Sequence, residues 1–485
     1  MATTDGPRSP RSMVLALVVF AGLCAPALAV DAPRKPRPSK NVILMISDGW
    51  GQNIINATRF FSGKTAVYDS GEWSKTFMST YPGSTSSVPG APREDQKGSY
   101  DPGAMWKTFD YAKSKATDSA AAGTALATGV KTYNNAIGLD MNGAPLVSVA
   151  EIAKRAGKSA GVVTTVQWSH ATPAVFCAHN LSRNNYEEIA QEILTKSGLD
   201  VVIGAGHPEY DDDHQPASMP HKYVGGAALW SQLKGGNLVG ADVDGDGAGD
   251  KWFFVENKSD FLALRTGPTP KRVLGTLQVH TTAHQARSER RPRNDVPTLA
   301  DLSLAALNVL NQRDTGFFLM IEGGAVDWAG HANQKERMIE EQMDFDAAVE
   351  AVVRWVEANS TWDETLLIVT GDHETGCLWG PNSGTVNGSP VWNEIVDKGP
   401  GVLPGMEFHS KDHTNSLVPL FARGGDTAYL ISLATRQDPR RGAYLDNTDV
   451  GRTLKDAVGT PAVAAAARAP ARTRRDAREP ALSAR

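Results

Sequence analysis

The chain has 485 residues, with 49 Lys and Arg against 54 Asp and Glu and a formal charge of -5. That length suits one large α/β domain with insertions, or two to three smaller units. The near-neutral balance argues against a nucleic-acid binder, although six arginines crowd into the last 25 residues.

Residues 1–29 read as a secretory signal: Arg8 and Arg11, then the apolar run MVLALVVFAGLCAPALA from Met13, with a cleavage pattern at Ala27-Leu28-Ala29. The mature protein is therefore expected to be exported, periplasmic or extracellular. The run is short for a spanning helix and nothing comparable recurs, so no membrane span is expected in the mature chain. Leu23 before Cys24 fits lipid attachment poorly. Beyond the signal only Cys177 and Cys377 remain, enough for one disulfide at most, and their pairing stays open. Residues 30–40, DAPRKPRPSK at their core, read as a flexible proline-rich leader.

The fold is expected to begin at Asn41 with NVILMISDGWG, an apolar run of strand length ending in Asp48-Gly49, the form of a strand buried on both faces. KATDSAAAGTALATG, from Lys115 to Gly129, predicts a helix of small residues with Asp118 and Ser119 at its amino end. Capping explains such residues in general, while a nucleophile or anion site is the sharper reading. GVVTTV and LDVVIGAG predict two further strands joined by a helix over NNYEEIAQEILTKSG. Residues from about 205 to 295 break the alternation with Gly, Asp and Pro and are read as an insertion. Helical spacing returns in VPTLADLSLAALNVLNQ, and again between the strand-like runs TGFFLMIEGG and ETLLIVTGDHETG. A second irregular stretch covers about 374–408, and the Ala/Arg/Pro-rich residues 461–485 are expected to be disordered. Strand–helix–strand alternation predicts an α/β fold, one central, mostly parallel sheet with helices on both faces.

In such sheets ligands bind at the carboxyl ends of the strands. Three of the apolar runs end in acids: Asp48, Glu322, and Asp372 followed by His373. EGGAVDWAGH adds Asp327 and His331, and FHSKDHTNSLVPL supplies His413, with His409 a competitor four residues earlier. A lone histidine is more often structural, and a lone acid more often a cap. Together these residues offer too many ligands for one tetrahedral zinc and suit two neighbouring ions. A two-metal site clamps the attacking and leaving oxygens of an in-line displacement, which points to phosphate or sulfate esters. Ser119 has no histidine near it in sequence to act as base, so metal activation is the better reading. HExxH and GxSxG are absent, and AGKS at Ala156–Ser159 lacks the first glycine of a phosphate-binding loop. DVDGDGAGD from Asp242 opens like a calcium loop but has Phe253 at its twelfth position, so a solvated turn is the expected reading.

NVILMISDGWG, ATDSAAAGTALATG, HATPAVFCAHNLSR, IEGGAVDWAGH, VTGDHETG and KDHTNS occur in an order that resembles the alkaline phosphatases, over roughly residues 41–460. The resemblance implies hydrolysis of phosphate monoesters, with Ser119 as a nucleophile that becomes phosphoserine and Arg183 as the clamp on two phosphate oxygens. It implies one zinc on Asp327, His331 and His413 and a second on Asp48, Asp372 and His373. A magnesium would sit on Glu322, Thr172 and again Asp48. It also implies a homodimer. Two positions depart from the best-known bacterial members, which carry Asp where this chain has His170 and Lys where it has Trp328. His170 puts the preference of the third metal site in doubt, and Trp328 removes a cation near phosphate, so phosphate would leave faster. A phosphodiesterase or sulfatase on the same sheet is the related alternative, and a non-catalytic exported metal-binding protein the unrelated one.

Overall fold

A computed structural model describes residues 35–95 and 100–459; the expected signal and the 461–485 tail lie outside the described residues. Eleven strands form the central sheet: β1 (Asn41–Ser47), β2 (Ser74–Ser79), β3 (Ser159–Gln167), β4 (Val201–Ala205), β5 (Phe253–Val255), β6 (Val273–Thr276), β7 (Phe317–Gly323), β8 (Thr365–Thr370), β9 (Val418–Gly424), β10 (Arg436–Asp438) and β11 (Gly442–Asp446). Their spatial order is β10-β11-β2-β9-β8-β1-β7-β3-β4-β6-β5. The block β8-β1-β7-β3-β4-β6-β5 is parallel throughout, and β9 runs antiparallel to both β8 and β2.

The apolar runs form strands because both faces of the sheet are covered, so every residue of β1 is buried and the two-residue period sorts its side chains between two cores. Ile43 and Met45 join the core containing Ile54, Leu302 and Phe345, from the helices Gln52–Ser62, Leu299–Leu310 and Lys335–Asn359. Val42, Leu44 and Ile46 join the other, with Leu126, Val149, Ile189 and Leu454, from the helices Ser119–Thr128, Val149–Arg155, Tyr186–Thr195 and Asn447–Ala457.

Two segments behave differently from expectation. Residues 35–40 are not a free spacer: the Ser39 N–H donates to the Ala457 carbonyl at 2.8 Å, and Lys158 Nζ donates to the carbonyls of Ser39 and Lys40 at 3.1 and 2.8 Å. Backbone carbonyls that a buried lysine can satisfy outweigh the loose reading of a proline-rich composition. The 205–295 stretch is also part of the sheet, because it contributes β5 and β6 to the edge. Those strands are only three and four residues long, below what periodicity resolves. Residues 374–408 carry two small antiparallel ladders outside the sheet, Leu378–Trp379 with Glu407–Phe408 and Gly384–Val386 with Ser389–Val391.

Candidate active site

Strand register assembles the acids. Ile46 of β1 pairs with Glu322 of β7 on one side and with Thr370 of β8 on the other. Asp48 and Asp372 each follow two residues beyond that paired position, so two carboxylates emerge at one level of the sheet's carboxyl edge with Glu322 two residues behind them on the neighbouring strand. Gly49 makes the turn possible: its φ is 75°, and a Cβ there would lie 2.7 Å from Asp327 Cα. Its N–H donates to Asp372 Oδ1 at 3.2 Å. A short antiparallel ladder, His413–Thr414 with Glu374–Thr375, carries His413 to the same edge.

Ser119 opens the Ser119–Thr128 helix, whose ten residues are all buried. Capping falls to Asp118, whose Oδ1 accepts from the Ala121 N–H at 2.9 Å, and so the Ser119 hydroxyl is left to project from the first helical position. Ser119 Oγ lies 3.1 Å from His373 Nε2. That nitrogen stands 3.4 Å from Asp48 Oδ1 and 3.2 Å from Asp372 Oδ2.

The three histidines present the same nitrogen inward. His413 Nδ1 meets the Thr117 carbonyl at 2.8 Å, and His331 Nδ1 meets the Lys411 carbonyl. A carbonyl only accepts, so both Nδ1 atoms carry hydrogen and both Nε2 atoms present lone pairs. Thr375 uses its one hydroxyl hydrogen on Asp327 Oδ1, at 2.5 Å, and therefore accepts from His373 Nδ1 at 3.3 Å. His331 Nε2 and His413 Nε2 then face each other at 3.0 Å, each 3.5 Å from an Asp327 oxygen. Converging lone pairs and carboxylates repel unless a cation lies among them. This donor set fits a metal ion, with the other ring nitrogen fixed by an outer partner.

Unpartnered atoms make the same point. Both Asp48 oxygens, Asp372 Oδ2, Glu322 Oε1 and Thr172 Oγ1 are buried without a hydrogen-bond partner. Burying so many polar atoms unsatisfied is costly, and bound cations relieve it. Ligand atoms of Asp327, His331 and His413 lie within 4.8 Å of one another; so do those of Asp48, Asp327 and His373, and those of Asp48, His170 and Glu322. Burial raises the Asp48 and Asp372 carboxyls, reinforced by neighbouring carboxylates, and burial also raises Glu322 against the Thr164 hydroxyl that donates to it.

Arg183 closes the other side. Its Nη1 donates to Asp118 Oδ2 at 3.2 Å and its Nη2 to His170 Nε2 at 3.0 Å. Burial and the adjacent guanidinium push His170 down to about 3, so it is a neutral acceptor. Arg183, Ser119, Asp327, His331 and His413 line one open pocket of about 410 Å³, with Lys113, Asn134 and Asp412 on its wall. Trp328 is partly exposed, its ring 6.0 Å from that of His170.

His409 does not join the cluster; its ring packs 5.5 Å from Phe109. Cys177 and Cys377 are free and buried. The acids Asp242, Asp244 and Asp246 do approach one another, but they are exposed and Lys271 pairs with Asp244 and Asp250. Two contributors were not singled out from sequence. Asp118 anchors the arginine as well as capping the helix, and Thr375 orients both Asp327 and His373; only the Thr-Asp-Ser triplet carried any hint, as a cap.

The sequence profile of the alkaline phosphatases matches residues 39–398. Alkaline phosphatase 4 of Bacillus subtilis (strain 168) is 34% identical over 342 residues, which are 70% of this chain and 62% of that protein. The chain thus spans less than two thirds of that relative's length. Alkaline phosphatase of Escherichia coli (strain K12) is 28% identical over 461 residues, 87% of each chain. Among solved structures, the cold-active alkaline phosphatase from a psychrophilic Shewanella sp. is 25% identical, covering 87% of this chain and 100% of that one at a TM-score of 0.61. The enzyme of the Antarctic bacterium TAB5 is 26% identical at a TM-score of 0.57, covering 87% and 99%; a His-to-Asp variant of it was solved with Mg bound in its M3 site. By profile, sequence and architecture, the chain belongs to the alkaline phosphatase family.

Proposed function

We propose that this protein hydrolyses phosphate monoesters through a phosphoserine on Ser119. The observation that carries the reading is the pocket-facing side of the site: a helix-terminal serine hydroxyl 3.1 Å from His373 Nε2, beside Arg183, converging imidazole nitrogens and unpartnered carboxylate oxygens. Asp327, His331 and His413 would hold one zinc, Asp48, Asp372 and His373 the second, and Glu322, Thr172 and Asp48 a magnesium. The ions would supply Lewis acidity, lowering the pKa of the serine hydroxyl and neutralising charge on the departing oxygen.

Arg183 supplies the phosphate clamp. Its planar fork matches two phosphate oxygens, and Asp118 and His170 preset its orientation. A neutral His170 accepts from the guanidinium without competing for the dianion. Ser119 Oγ gives up its proton to solvent and bonds to phosphorus as the ester P–O bond breaks, the leaving oxygen takes a proton from solvent to become the alcohol, and water then hydrolyses the phosphoserine, restoring the Ser119 hydroxyl and freeing inorganic phosphate. The amino end of the Ser119–Thr128 helix favours the anion held in front of it.

Comparing hydrolysis of p-nitrophenyl phosphate with that of bis-p-nitrophenyl phosphate, alongside elemental analysis of the purified protein, tests the reading. The monoester should be turned over much faster, with zinc above one equivalent per chain. Faster diester turnover would replace the monoesterase with a phosphodiesterase. Export rests on the arginine-flanked apolar run and Ala27-Leu28-Ala29, and cleavage after Ala29 in a bacterial host tests it. A homodimer rests on family resemblance, and sedimentation of the mature chain tests that.

A further inference from the structure

Thr375 is fully buried and meets each segment that carries a proposed zinc ligand. Its N–H donates to the carbonyl of Gly49, the residue after Asp48, at 3.0 Å. Its hydroxyl oxygen lies 2.5 Å from Asp327 Oδ1 and 3.3 Å from His373 Nδ1, and its backbone pairs with His413 across the short ladder. Its methyl packs on Gly330, the residue before His331, where an added Cβ would lie 3.1 Å from Thr375 Cγ2. Asp372 precedes His373 on the same strand end.

A hydroxyl has one hydrogen to give and lone pairs to accept with, whereas a carboxylate only accepts. The hydrogen therefore goes to Asp327, and the oxygen takes the Nδ1–H of His373. Asp327 belongs to one proposed zinc site and His373 to the other, so a single group steadies a ligand of each. Without it, the His373 Nδ1–H is buried unpaired, and the ring gains by moving its hydrogen to Nε2, where an ion needs a lone pair. Asp327 Oδ1 loses the donor that fixes its carboxylate. Resting on the two-zinc reading, we propose that the Thr375 hydroxyl is a positioning group shared by both zinc sites, so that removing it weakens both ions at once.

Thr375→Val keeps the methyl and loses the hydroxyl; Thr375→Ser does the reverse. Equilibrating the purified mature chains in zinc buffers of graded free concentration and counting bound zinc by elemental analysis tests the proposal without reference to turnover. The valine variant should bind both zincs roughly 10- to 100-fold more weakly, the range for loss of an outer partner. The serine variant should hold both as the wild type does. A packing role alone would reverse that order. Unchanged affinities in the valine variant, a loss confined to one zinc, or a serine variant as weak as valine would overturn the shared role. Should the valine variant fail to fold, serine decides: both zincs held as in the wild type supports the role, and loss of both overturns it. A wild type that binds fewer than two zincs would overturn the two-zinc reading together with this one, whereas two zincs in the wild type and in the valine variant alike would overturn this one alone.

Discussion

Ser119 Oγ and His373 Nε2 stand 3.1 Å apart although 254 positions separate them in the chain. The contact is not an isolated serine–histidine pair: Asp48 and Asp372 approach the same imidazole nitrogen, and its other nitrogen is tied to Thr375. A base held by one carboxylate would suit a hydrolase triad. An imidazole nitrogen shared with two carboxylates suits a ligand.

Replacing Ser119 with alanine should lower turnover of p-nitrophenyl phosphate by at least about a thousandfold, since the nucleophile and its activating groups act as a unit. Zinc content should stay at the wild-type value, because Ser119 is not among the ligands. Full activity in the purified variant would remove the serine from the mechanism.

Arg183→Ala should weaken inhibition by inorganic phosphate and lower turnover by roughly one to three orders of magnitude, as expected for a group that meets transition-state charge. Asp118 and His170 would keep their places without it, so the melting temperature should change little. An unchanged phosphate inhibition constant would count against the clamp.

Chelation should abolish activity and lower the melting temperature. Each site saturated at about 100 times its dissociation constant stabilises the native state by about 2.7 kcal/mol. Stripping it leaves the lone pairs of His331 and His413 and the Asp48 carboxylate oxygens with no counter-charge. Differential scanning calorimetry before and after chelation reads this directly, and coincident transitions would mean that metal does not hold the native state together.

Glu341 makes a pH-dependent contribution away from the site. Burial, aided by the Asp344 charge, pushes its carboxyl up to about 8, and its Oε1 is buried without a partner. Below about 4.5 both folded and unfolded chains hold the proton and there is no cost. Between about 4.5 and 8 the unfolded chain releases a proton that the folded chain keeps, so stability is lost as pH rises. Glu341→Gln should therefore gain in melting temperature relative to the wild type on going from pH 5 to pH 9. A difference that does not change with pH would show that the carboxyl titrates normally.

His170→Asp should raise magnesium affinity, because it places a carboxylate beside Asp48 and Glu322 in place of a neutral ring. An outer carboxylate typically changes metal affinity by roughly tenfold or more. Magnesium titration of the zinc-loaded variant measures it, and an affinity equal to that of the wild type would remove His170 from that site.

The edge strands and the leader show where sequence patterning runs out. β5 and β6 have too few residues for a period of two to stand out from a Gly- and Asp-rich background. Pro36 is buried and Ser39 is anchored to Ala457, contacts that depend on a helix more than four hundred residues away. His409 and His413 looked interchangeable in the linear order. The ladder through Thr375 selects His413, and His409 faces Phe109 instead.

Composition and order alone determined the central strands, the helices between them and the acids at their ends, because a doubly covered strand must be apolar for its whole length and a residue that ends such a run stands out. Only the tertiary structure decided that Asp118 takes the cap and leaves Ser119 free, that Thr375 fixes a tautomer, and that three Nε2 lone pairs converge. Those outcomes depend on angles and distances between segments far apart in the chain, and a side chain's identity does not encode which of its atoms will meet a partner.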